Sequence, residues 1–518
     1  MNIARRLEEK ADAIPRTCAI IEDRTARRCT YGSLRDRTSA LAYDFARAGL
    51  RPGDRILIAV GMSLDLYVAL IGAWRCGLVA VVPDASMGLG GLNRCIKAAQ
   101  PAAVIAEQRL APLSLASPAM RAIPHKFVFG LFPGMRRVRD ARPGTARRFP
   151  IIGRRMDEPA LITFTSGSTG TPKVAVRSHG LLHAQMKSLL ANLRLGTKTL
   201  ETMPIVLLAN LAAGGTSVIP NIALRSVGKA DPRKLAETIK RHGCTTLIGS
   251  PVVLQRLAAE CADADPRLAS LEDVYSGGGP VFPVILAAFE RAAPHARTHA
   301  IYGSTETEPI AHVAHRQVAA SDVESMRQGG GLLAGRPDAS SEVAVIAADW
   351  GRPLGPLTRD AFAALRLAPN FVGEIVVTGP HVLAGYLNGA GDAETKIHVA
   401  ERVFHRTGDL GRIDAGGRLW LLGRASAAIS DERGTVYPLA VECAASFIAG
   451  VHRSALAQSQ RKRVLFIEAA GSNAAEIRNR LAWAMIDEVV PLAAIPVDRR
   501  HNAKIDYPRL RRLASRRI

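Results

Sequence analysis

LITFTSGSTGTPK, residues 161–173, is an apolar strand-like run that passes into a loop of glycines and hydroxylated residues and ends in a lysine. Glycine lets a backbone approach an anion closely and turn its N–H groups inward, while hydroxyl groups and a lysine add donors and positive charge. The pattern therefore predicts a polyphosphate-binding loop, formed by Thr165, Ser166, Gly167, Ser168, Thr169, Gly170 and Lys173. The glycine–lysine spacing of a Walker A loop is absent, and a flexible Ser/Gly turn is the alternative interpretation.

On both sides of this loop, apolar strand-like runs alternate with amphipathic helical stretches, as is typical of α/β layering. One helix is predicted at residues 231–243, with Asp231 as its N-cap, Pro232 at its first position and Gly243 as its stop. After about residue 371 the chain changes to short strands and Gly-rich turns, with a hairpin turn predicted at residues 415–417. A final α+β segment is expected from about residue 425 onward.

The length of 518 residues and the 48% apolar content predict two or three domains with a large buried core. Residues 1–15 mix charges of both signs without an apolar core, so no secretory signal is indicated and a cytoplasmic location is expected. The best candidate membrane span, residues 67–82, is interrupted by Arg75 and Gly77 and falls short of the length a span requires. It predicts instead a buried helix that runs into a strand.

The formal charge of +22 raises the question of an anionic partner. The densest basic run, residues 134–156, contains eight arginines but a single aromatic residue, and no recognisable nucleic-acid-binding module accompanies it. Nucleic acid is therefore not expected as a partner. A solvated basic linker is the first interpretation, and peripheral contact with an anionic membrane surface or an acidic partner is the alternative.

Residues 164–173 resemble the signature loop of the adenylate-forming superfamily, which includes acyl-CoA synthetases, luciferases and peptide-synthetase adenylation domains. Further segments resemble motifs of this family and occur along the chain in the expected order. They are TYGSL (30–34), before the loop, and SGGGP (276–280), IYGSTETEP (301–309), RTGDLGR (406–412), GR (423–424) and HNAKI (501–505), after it. The resemblance spans essentially the whole chain. It implies an α/β fold with a large N-terminal AMP-binding domain, residues 1–422, built of layered α/β subdomains and a β-rich subdomain. A small mobile α+β C-terminal domain, residues 423–518, would carry a catalytic lysine.

The resemblance also implies ATP and Mg²⁺ as cofactors and a role for each matching residue. It assigns Gly277, Gly278, Gly279 and Tyr302 to adenine, Thr305 to the α-phosphate, Glu306 and Thr165 to the metal, Asp409 to ribose, Arg424 to ribose or phosphate, and Lys504 to the reacting carboxylate and α-phosphate. A hard carboxylate oxygen such as that of Glu306 suits magnesium. The alternative for Asp409 is a turn-capping role before a strand.

Three departures from the family pattern bear on which nucleophile takes the acyl group from the acyl adenylate in the second step of the reaction. Acyl-CoA ligases generally carry Asp or Lys where this chain has Ser426, an arginine where it has Val436, and a histidine where it has Leu207. These features resemble the β-lactone synthetases of bacterial long-chain olefin biosynthesis, as do residues 84–95, 216–220, 248–257, 423–442 and 498–505.

In that group a long-chain 2-alkyl-3-hydroxy acid is adenylated and its own 3-hydroxyl displaces AMP. The resemblance thus implies a long-chain acyl substrate, membership of lipid metabolism and assembly with other hydrocarbon-biosynthesis enzymes. A long-chain acyl-CoA synthetase or a fatty-acyl-AMP ligase is the alternative, so coenzyme A stays open as a co-substrate. A scaffold that uses its basic surface is disfavoured by the intact loop, Glu306, Asp409 and Lys504.

Overall fold

Short β-branched and apolar runs separated by capped helices fold into mixed α/β structure in the computed structural model of the chain. The structure describes residues 2–84, 87–139, 148–165, 173–222, 228, 230–347, 349–469, 474–498 and 503–517. These residues divide into two compact units, Met1–Ile248 with Gly385–Gly391, and Gly249–Ala384 with Asp392–Ile518.

The first unit contains helices and strands in alternation. Its helices are α1 (Ala4–Ala13), α2 (Tyr31–Arg47), α3 (Leu64–Arg75), α4 (Gly88–Ala99), α5 (Leu113–Ala116), α6 (Pro118–Arg121), α7 (His179–Asn192), α8 (Pro204–Ala213) and α9 (Pro232–His242). Its strands are β1 (Cys18–Glu22), β2 (Arg27–Thr30), β3 (Arg55–Ala59), β4 (Val79–Val82), β5 (Ala103–Glu107), β6 (His125–Phe129), β7 (Arg136–Arg137), β8 (Pro159–Thr165), β9 (Lys173–Ser178), β10 (Lys198–Glu201), β11 (Thr216–Ile219) and β12 (Thr246–Gly249).

Two sheets organise this unit among the described residues. One follows the order β7-β6-β5-β3-β4-β8-β9 and is parallel except for the β8–β9 pair. The other runs β12-β10-β11-β1-β2 and is parallel except for the β1–β2 pair. Parallel strands covered on both faces read as continuous apolar runs, which explains why β4 and β8 could be predicted from the sequence.

The local predictions in this unit are confirmed. Helix α9 begins after Asp231, whose carboxylate accepts the N–H groups of Arg233 and Lys234, and it ends at Gly243 in a left-handed conformation. The stretch at residues 67–82 is the buried helix α3 followed by β4. Within the described residues, none of the helices combines the length and apolar character that a bilayer crossing needs.

The second unit begins with α/β structure and continues into antiparallel sheet. Its helices are α10 (Pro251–Glu260), α11 (Pro283–Ala292), α12 (Ala320–Arg327), α13 (Arg359–Leu365), α14 (Asp392–Thr395), α15 (Pro438–Ser446), α16 (Ala474–Arg480) and α17 (Tyr507–Arg517). Its strands are β13 (Asp273–Ser276), β14 (Arg297–Ser304), β15 (Thr307–Ala314), β16 (Leu332–Pro337), β17 (Glu342–Ile346), β18 (Gly373–Thr378), β19 (Lys396–Val399), β20 (Arg402–Ile413), β21 (Leu419–Arg424), β22 (Ile429–Asp431), β23 (Gly434–Val436), β24 (Val451–Ser459), β25 (Lys462–Ala469) and β26 (Glu488–Pro491).

The sheet of this unit places Asp409 and Arg424 on the neighbouring strands β20 and β21 and Tyr302 on β14. The order is β17-β18-β20-β21-β16-β15-β14-β13, with β19 beside β20, and only the β13–β14 pair is parallel. The predicted hairpin turn at residues 415–417 is confirmed, since it joins β20 to β21. A separate sheet, β24-β25-β26, packs with α15 and α17 near the C-terminus. The predicted domain boundary between residues 422 and 423 stays a prediction.

Candidate active site

The signature loop is bracketed by an antiparallel strand pair of the first unit. Thr165, the last residue of β8, pairs with Lys173, the first residue of β9. The Lys173 ammonium lies 5.3 Å from the centroid of the Tyr386 ring in the same unit, within the range of a cation–π interaction. The side chain of Thr165 and the predicted loop residues Ser166, Gly167, Ser168, Thr169 and Gly170 lie outside the described residues.

The three predicted adenine-binding glycines belong to the second unit and follow strand β13. Gly278 has a φ of +83°. At Gly279 an added Cβ would lie 2.5 Å from the Cβ of Ala503, a distance that real side chains do not adopt. Glycine at position 279 is therefore what lets the segment that carries Lys504 approach the end of β13.

Tyr302, Asp409 and Arg424 form a connected polar group in the same unit. The Tyr302 hydroxyl donates to Oδ2 of Asp409 at 2.7 Å, and Nε of Arg424 lies 3.2 Å from Oδ1 of the same carboxylate. Burial and the nearby Asp409 carboxylate raise the pKa of Tyr302 well above its usual value, so its phenol stays protonated and can donate. Both oxygens of Asp409 are thus held in place.

Thr305 and Glu306 occupy the turn between β14 and β15. The Glu306 N–H donates to the Ser304 hydroxyl at 3.3 Å, and the Glu306 carbonyl accepts the Leu383 N–H at 2.7 Å. The pKa of Arg424 is raised chiefly by Asp409, with Tyr302 and Glu306 acting in the same direction. The predicted metal-binding carboxylate therefore belongs to the same charge cluster as the predicted ribose-binding group.

Thr407 and Arg406, which precede Asp409 in the chain, hold its strand. The Thr407 hydroxyl accepts the Asp409 N–H at 3.0 Å and donates to the Ile375 carbonyl at 2.9 Å. The Arg406 guanidinium donates to both carboxylate oxygens of Glu374, at 2.9 and 2.6 Å, and both side chains are 0% exposed. This bidentate pair fixes β20 against β18 at the position where Asp409 leaves the core.

Sequence reasoning assigned no role to this buried pair. Arg406 also donates to the carbonyls of Arg352 and Asp349, at 2.6 and 2.8 Å, so its charge is well satisfied. One signal was present in the sequence, because Glu374 interrupts the apolar run VGEIVVTG. A charged residue in a buried strand requires a partner, although the pattern does not say which one.

Lys504 is exposed, and its backbone is hydrogen-bonded to Asp498. Oδ1 of Asp498 accepts the N–H groups of Ala503 and Lys504, at 3.1 and 2.9 Å. In return the Lys504 carbonyl accepts the Asp498 N–H at 2.8 Å. Residues 499–502 lie outside the described part of the chain. The backbone at Lys504 is therefore held by Asp498 although the residue itself is exposed.

The three positions that depart from acyl-CoA ligases differ in their surroundings. Leu207 is 0% exposed inside α8, and Val436 is buried in the apolar cluster beneath α15. Ser426 is exposed, one residue before the buried Ala427. Neither Leu207 nor Val436 can offer a charge or a hydrogen-bond donor from its side chain.

Solved structures of other proteins share this fold. The amide bond synthetase McbA from Marinactinospora thermotolerans superposes with a TM-score of 0.82 over 99% of this chain and 100% of that one, at 21% identity. ATP-bound MatB from Rhodopseudomonas palustris gives a TM-score of 0.78 over 99% and 98% of the two chains, at 22% identity. The predicted α/β adenylate-forming fold is confirmed.

The chain belongs to the AMP-binding enzyme family, which it matches over residues 7–387, and it is an AMP-forming ligase that uses ATP. Similar proteins include the olefin β-lactone synthetase of Xanthomonas campestris pv. campestris, 31% identical over 93% of this chain and 90% of that one. The olefin β-lactone synthetase of Stenotrophomonas maltophilia is 32% identical over the same shares of the two chains. A feruloyl-CoA synthase from an Amycolatopsis species is 26% identical over 84% and 80%.

Proposed function

We propose that this chain activates a long-chain 2-alkyl-3-hydroxy acid with ATP and Mg²⁺ and converts the acyl adenylate into a β-lactone. The observation that carries the proposal is the 31–32% identity, over 93% of the chain, to two olefin β-lactone synthetases. The departures at Leu207, Ser426 and Val436 support it, because each replaces a residue typical of thiol-accepting relatives.

In the first half-reaction a carboxylate oxygen of the acid bonds to the α-phosphorus of ATP. The bond from that phosphorus to the bridging oxygen breaks, and pyrophosphate leaves. Asp409 accepts the ribose hydroxyls through oxygens already oriented by Tyr302 and Arg424. No side chain forms a covalent intermediate, so catalysis rests on positioning and on stabilising charge.

Lys504 supplies positive charge where negative charge develops in this step. Its ammonium bridges the acid's carboxylate and the α-phosphate in the proposed reaction, and the approach of Ala503 to Gly279 supports this assignment. Thr305 contacts the α-phosphate from the turn after β14. The Asp498 carboxylate accepts the Lys504 N–H, and the Asp498 N–H donates to the Lys504 carbonyl, so both backbone polar groups of the lysine are held.

Magnesium fits the chemistry of Glu306, whose carboxylate lies in a turn beside the Arg424 charge cluster. Glu306 and the Thr165 hydroxyl would hold the ion, with phosphate oxygens and water as the remaining ligands. When bound, the ion neutralises negative charge on the leaving pyrophosphate. The glycine-rich loop and Lys173 would bind the polyphosphate of ATP.

In the second half-reaction the 3-hydroxyl oxygen bonds to the acyl carbon, its proton is released, and AMP leaves with the electrons of the acyl–oxygen bond. Well-oriented intramolecular attack reaches effective molarities of about 10⁵ M or more, although closing a strained four-membered ring offsets much of that advantage. A nucleophile already inside the substrate makes an external thiol unnecessary. This agrees with the apolar side chains at Leu207 and Val436.

The basic run suggests where an anionic partner would bind. Arg136 and Arg137 are exposed on the short edge strand β7. Arg148, in contrast, lies 3.2 Å from Asp12, and Arg154 lies 3.2 Å from Glu158. We infer that the β7 end of the run contacts an anionic lipid surface or an acidic enzyme of the same pathway.

The test compares a matched pair of acids, a 2-alkyl-3-hydroxy acid and its 3-deoxy analogue, each with ATP and Mg²⁺ and with or without coenzyme A. We expect both acids to release pyrophosphate, and only the 3-hydroxy acid to be turned over without coenzyme A. The product should be followed by NMR at low temperature, because β-lactones lose carbon dioxide on heating.

Two results would replace the proposal with a different function. If the 3-hydroxy acid accumulates as acyl-AMP until coenzyme A is added and then forms a thioester, the chain is an acyl-CoA synthetase. If acyl-AMP accumulates with either acid and coenzyme A changes nothing, it is a fatty-acyl-AMP ligase.

A further inference from the structure

A buried carboxyl group lies beneath the segment that carries Lys504, and the proposed mechanism gives it no task. Glu442, on helix α15, is 4% exposed. Burial raises its pKa to about 7, although hydrogen bonds from Tyr507 and the Leu456 N–H oppose the shift. Burying a carboxyl group costs free energy unless hydrogen bonds compensate, so a buried glutamate that serves only packing is unfavourable.

The principal partner of this carboxyl group is three residues beyond Lys504. The Tyr507 hydroxyl donates to Oε1 of Glu442 at 2.7 Å, and the Leu456 N–H donates to the same oxygen at 3.3 Å. Tyr507 is the first residue of α17, and its ring packs against the apolar cluster of β24, β25 and α17. The hydrogen bond thus ties the start of α17 to α15 across 65 residues of sequence.

Backbone contacts connect this tie to Lys504 itself. Val497 and Ile505 form an antiparallel bridge, and the Asp506 N–H donates to the Pro496 carbonyl at 2.9 Å. Lys504 therefore lies between its own backbone hydrogen bonds to Asp498 and a helix start held by Tyr507. A shift of Tyr507 would be transmitted to Lys504 through only two intervening residues.

The tie also lies close to the predicted nucleotide-binding residues. Arg511, one turn further along α17, donates to the carbonyl of Ser426 at 3.0 Å, two residues after Arg424. On the other side of Lys504, Ala503 approaches the backbone at Gly279. The chain is thus close to segments that carry predicted ATP-site residues both before Lys504, at Ala503, and after it, in α17, all within the second unit.

We propose that Glu442 and Tyr507 are positioning residues for Lys504: the hydrogen bond between their side chains orients the start of α17 and thereby the lysine ammonium during adenylation. The inference rests on the proposed role of Lys504. It predicts an effect confined to the first half-reaction, because the ring closure that follows does not use the lysine.

The experiment uses the full chain with Tyr507→Phe, which removes only the hydroxyl, and Glu442→Gln, which keeps a hydrogen-bond acceptor. Tyr437→Phe is the matched control, since Tyr437 is half-buried beside the start of α15. Pyrophosphate release reports adenylation, and lactone formation from chemically prepared acyl adenylate reports the second half-reaction. Each substitution is also made in a Lys504→Ala background.

We expect Tyr507→Phe to lower kcat for pyrophosphate release about tenfold, the scale of one lost hydrogen bond, with KM for ATP within about twofold. Glu442→Gln should retain more activity than Tyr507→Phe, and Tyr437→Phe should match the wild type. Lactone formation from supplied acyl adenylate should be unchanged. In the Lys504→Ala background, Tyr507→Phe should cause no further loss of kcat.

Losses that add to that of Lys504→Ala, or that affect both half-reactions equally, would overturn the inference and make the hydrogen bond purely structural. Unimpaired pyrophosphate release by Lys504→Ala alone would instead remove the lysine from the mechanism, and the positioning role with it. The two failures are distinguishable because the first leaves the Lys504→Ala defect intact.

Discussion

The segment that carries Asp409 and the segment that carries Lys504 are held in opposite ways. Asp409 follows a fully buried bidentate ion pair, Arg406–Glu374, in the middle of a long strand. Lys504 is exposed, and its segment is tied by backbone hydrogen bonds to Asp498 and by a tyrosine hydroxyl three residues away.

This difference matches the two tasks proposed for these segments. A group that binds ribose gains from rigidity, since a carboxylate oriented in advance loses no entropy when the nucleotide arrives. A lysine that acts on the reacting phosphate needs accurate placement. If the predicted C-terminal domain moves, the lysine must also be able to leave the reacting phosphate after adenylation. Removing one partner of a buried ion pair costs about 3–5 kcal/mol, whereas losing one hydrogen bond costs about 1 kcal/mol.

The largest expected effect is on folding. Arg406→Met leaves Glu374 buried without its partner, so the free energy of unfolding should fall by about 3–5 kcal/mol. Urea titration measures the change. Arg402→Ala, on the same strand, removes an exposed pair with Glu342 and should cost about 1 kcal/mol or less. Equal losses in the two variants would mean that the buried pair does not anchor the strand.

Lys504→Ala should leave the fold and ATP binding intact and slow adenylation by about two to three orders of magnitude, the usual range for one pre-organised charge-stabilising group. Pyrophosphate release measures the rate, and isothermal titration with ATP measures binding. Lys462→Ala removes an exposed lysine of β25 and serves as the control for charge. Unchanged pyrophosphate release in Lys504→Ala would exclude the lysine from the reaction.

Gly279→Ala tests whether the close approach of Gly279 to Ala503 is needed for adenylation. The added methyl group would displace Ala503, and displacement of a reacting group by about 1 Å can cost up to about a hundredfold in rate. We therefore expect slower pyrophosphate release, and recovery when Ala503→Gly is added to remove the opposing methyl group. A slow double variant would show that the defect arises at Gly279 alone.

The smallest effect on turnover is expected at the basic run. Neutralising Arg136, Arg137, Arg147 and Arg148 should weaken binding to anionic vesicles while turnover of soluble substrate stays within about twofold. Exposed charges act over about 10 Å at 0.1 M salt, so the difference should fade as salt rises. Neutralising the four Lys and Arg residues of α9 is the control for net charge. A matching loss of turnover would place the run near the active site.

Features set by neighbours along the chain could be predicted from sequence. Helix α9 has its N-cap, proline and glycine within thirteen residues, and the 415–417 turn lies between two regular strands. Side-chain pairs formed across the fold could not. Arg406 and Glu374 are 32 residues apart, Tyr507 and Glu442 are 65 apart, and no local pattern links either pair.

The same distinction applies to the candidate site, whose residues could be predicted while the contacts between them could not. Motif resemblance selected Tyr302, Asp409 and Arg424, and the structure brings these side chains within hydrogen-bonding or ion-pairing distance. The resemblance could not indicate that both Asp409 oxygens already have partners, because that depends on the register of β20 against β21 and on the approach of Tyr302 from β14. The roles of these residues toward ATP stay predictions.

The central claim is that the acid is activated at its carboxylate and then attacked by its own hydroxyl. The most direct measurement supplies a 3-hydroxy acid with both carboxylate oxygens labelled with oxygen-18, together with ATP and Mg²⁺ and no coenzyme A. Mass spectrometry of the products should find one labelled oxygen in AMP and one in the lactone. A lactone that keeps both labels, with unlabelled AMP, would mean that the hydroxyl was activated instead, and would contradict the account.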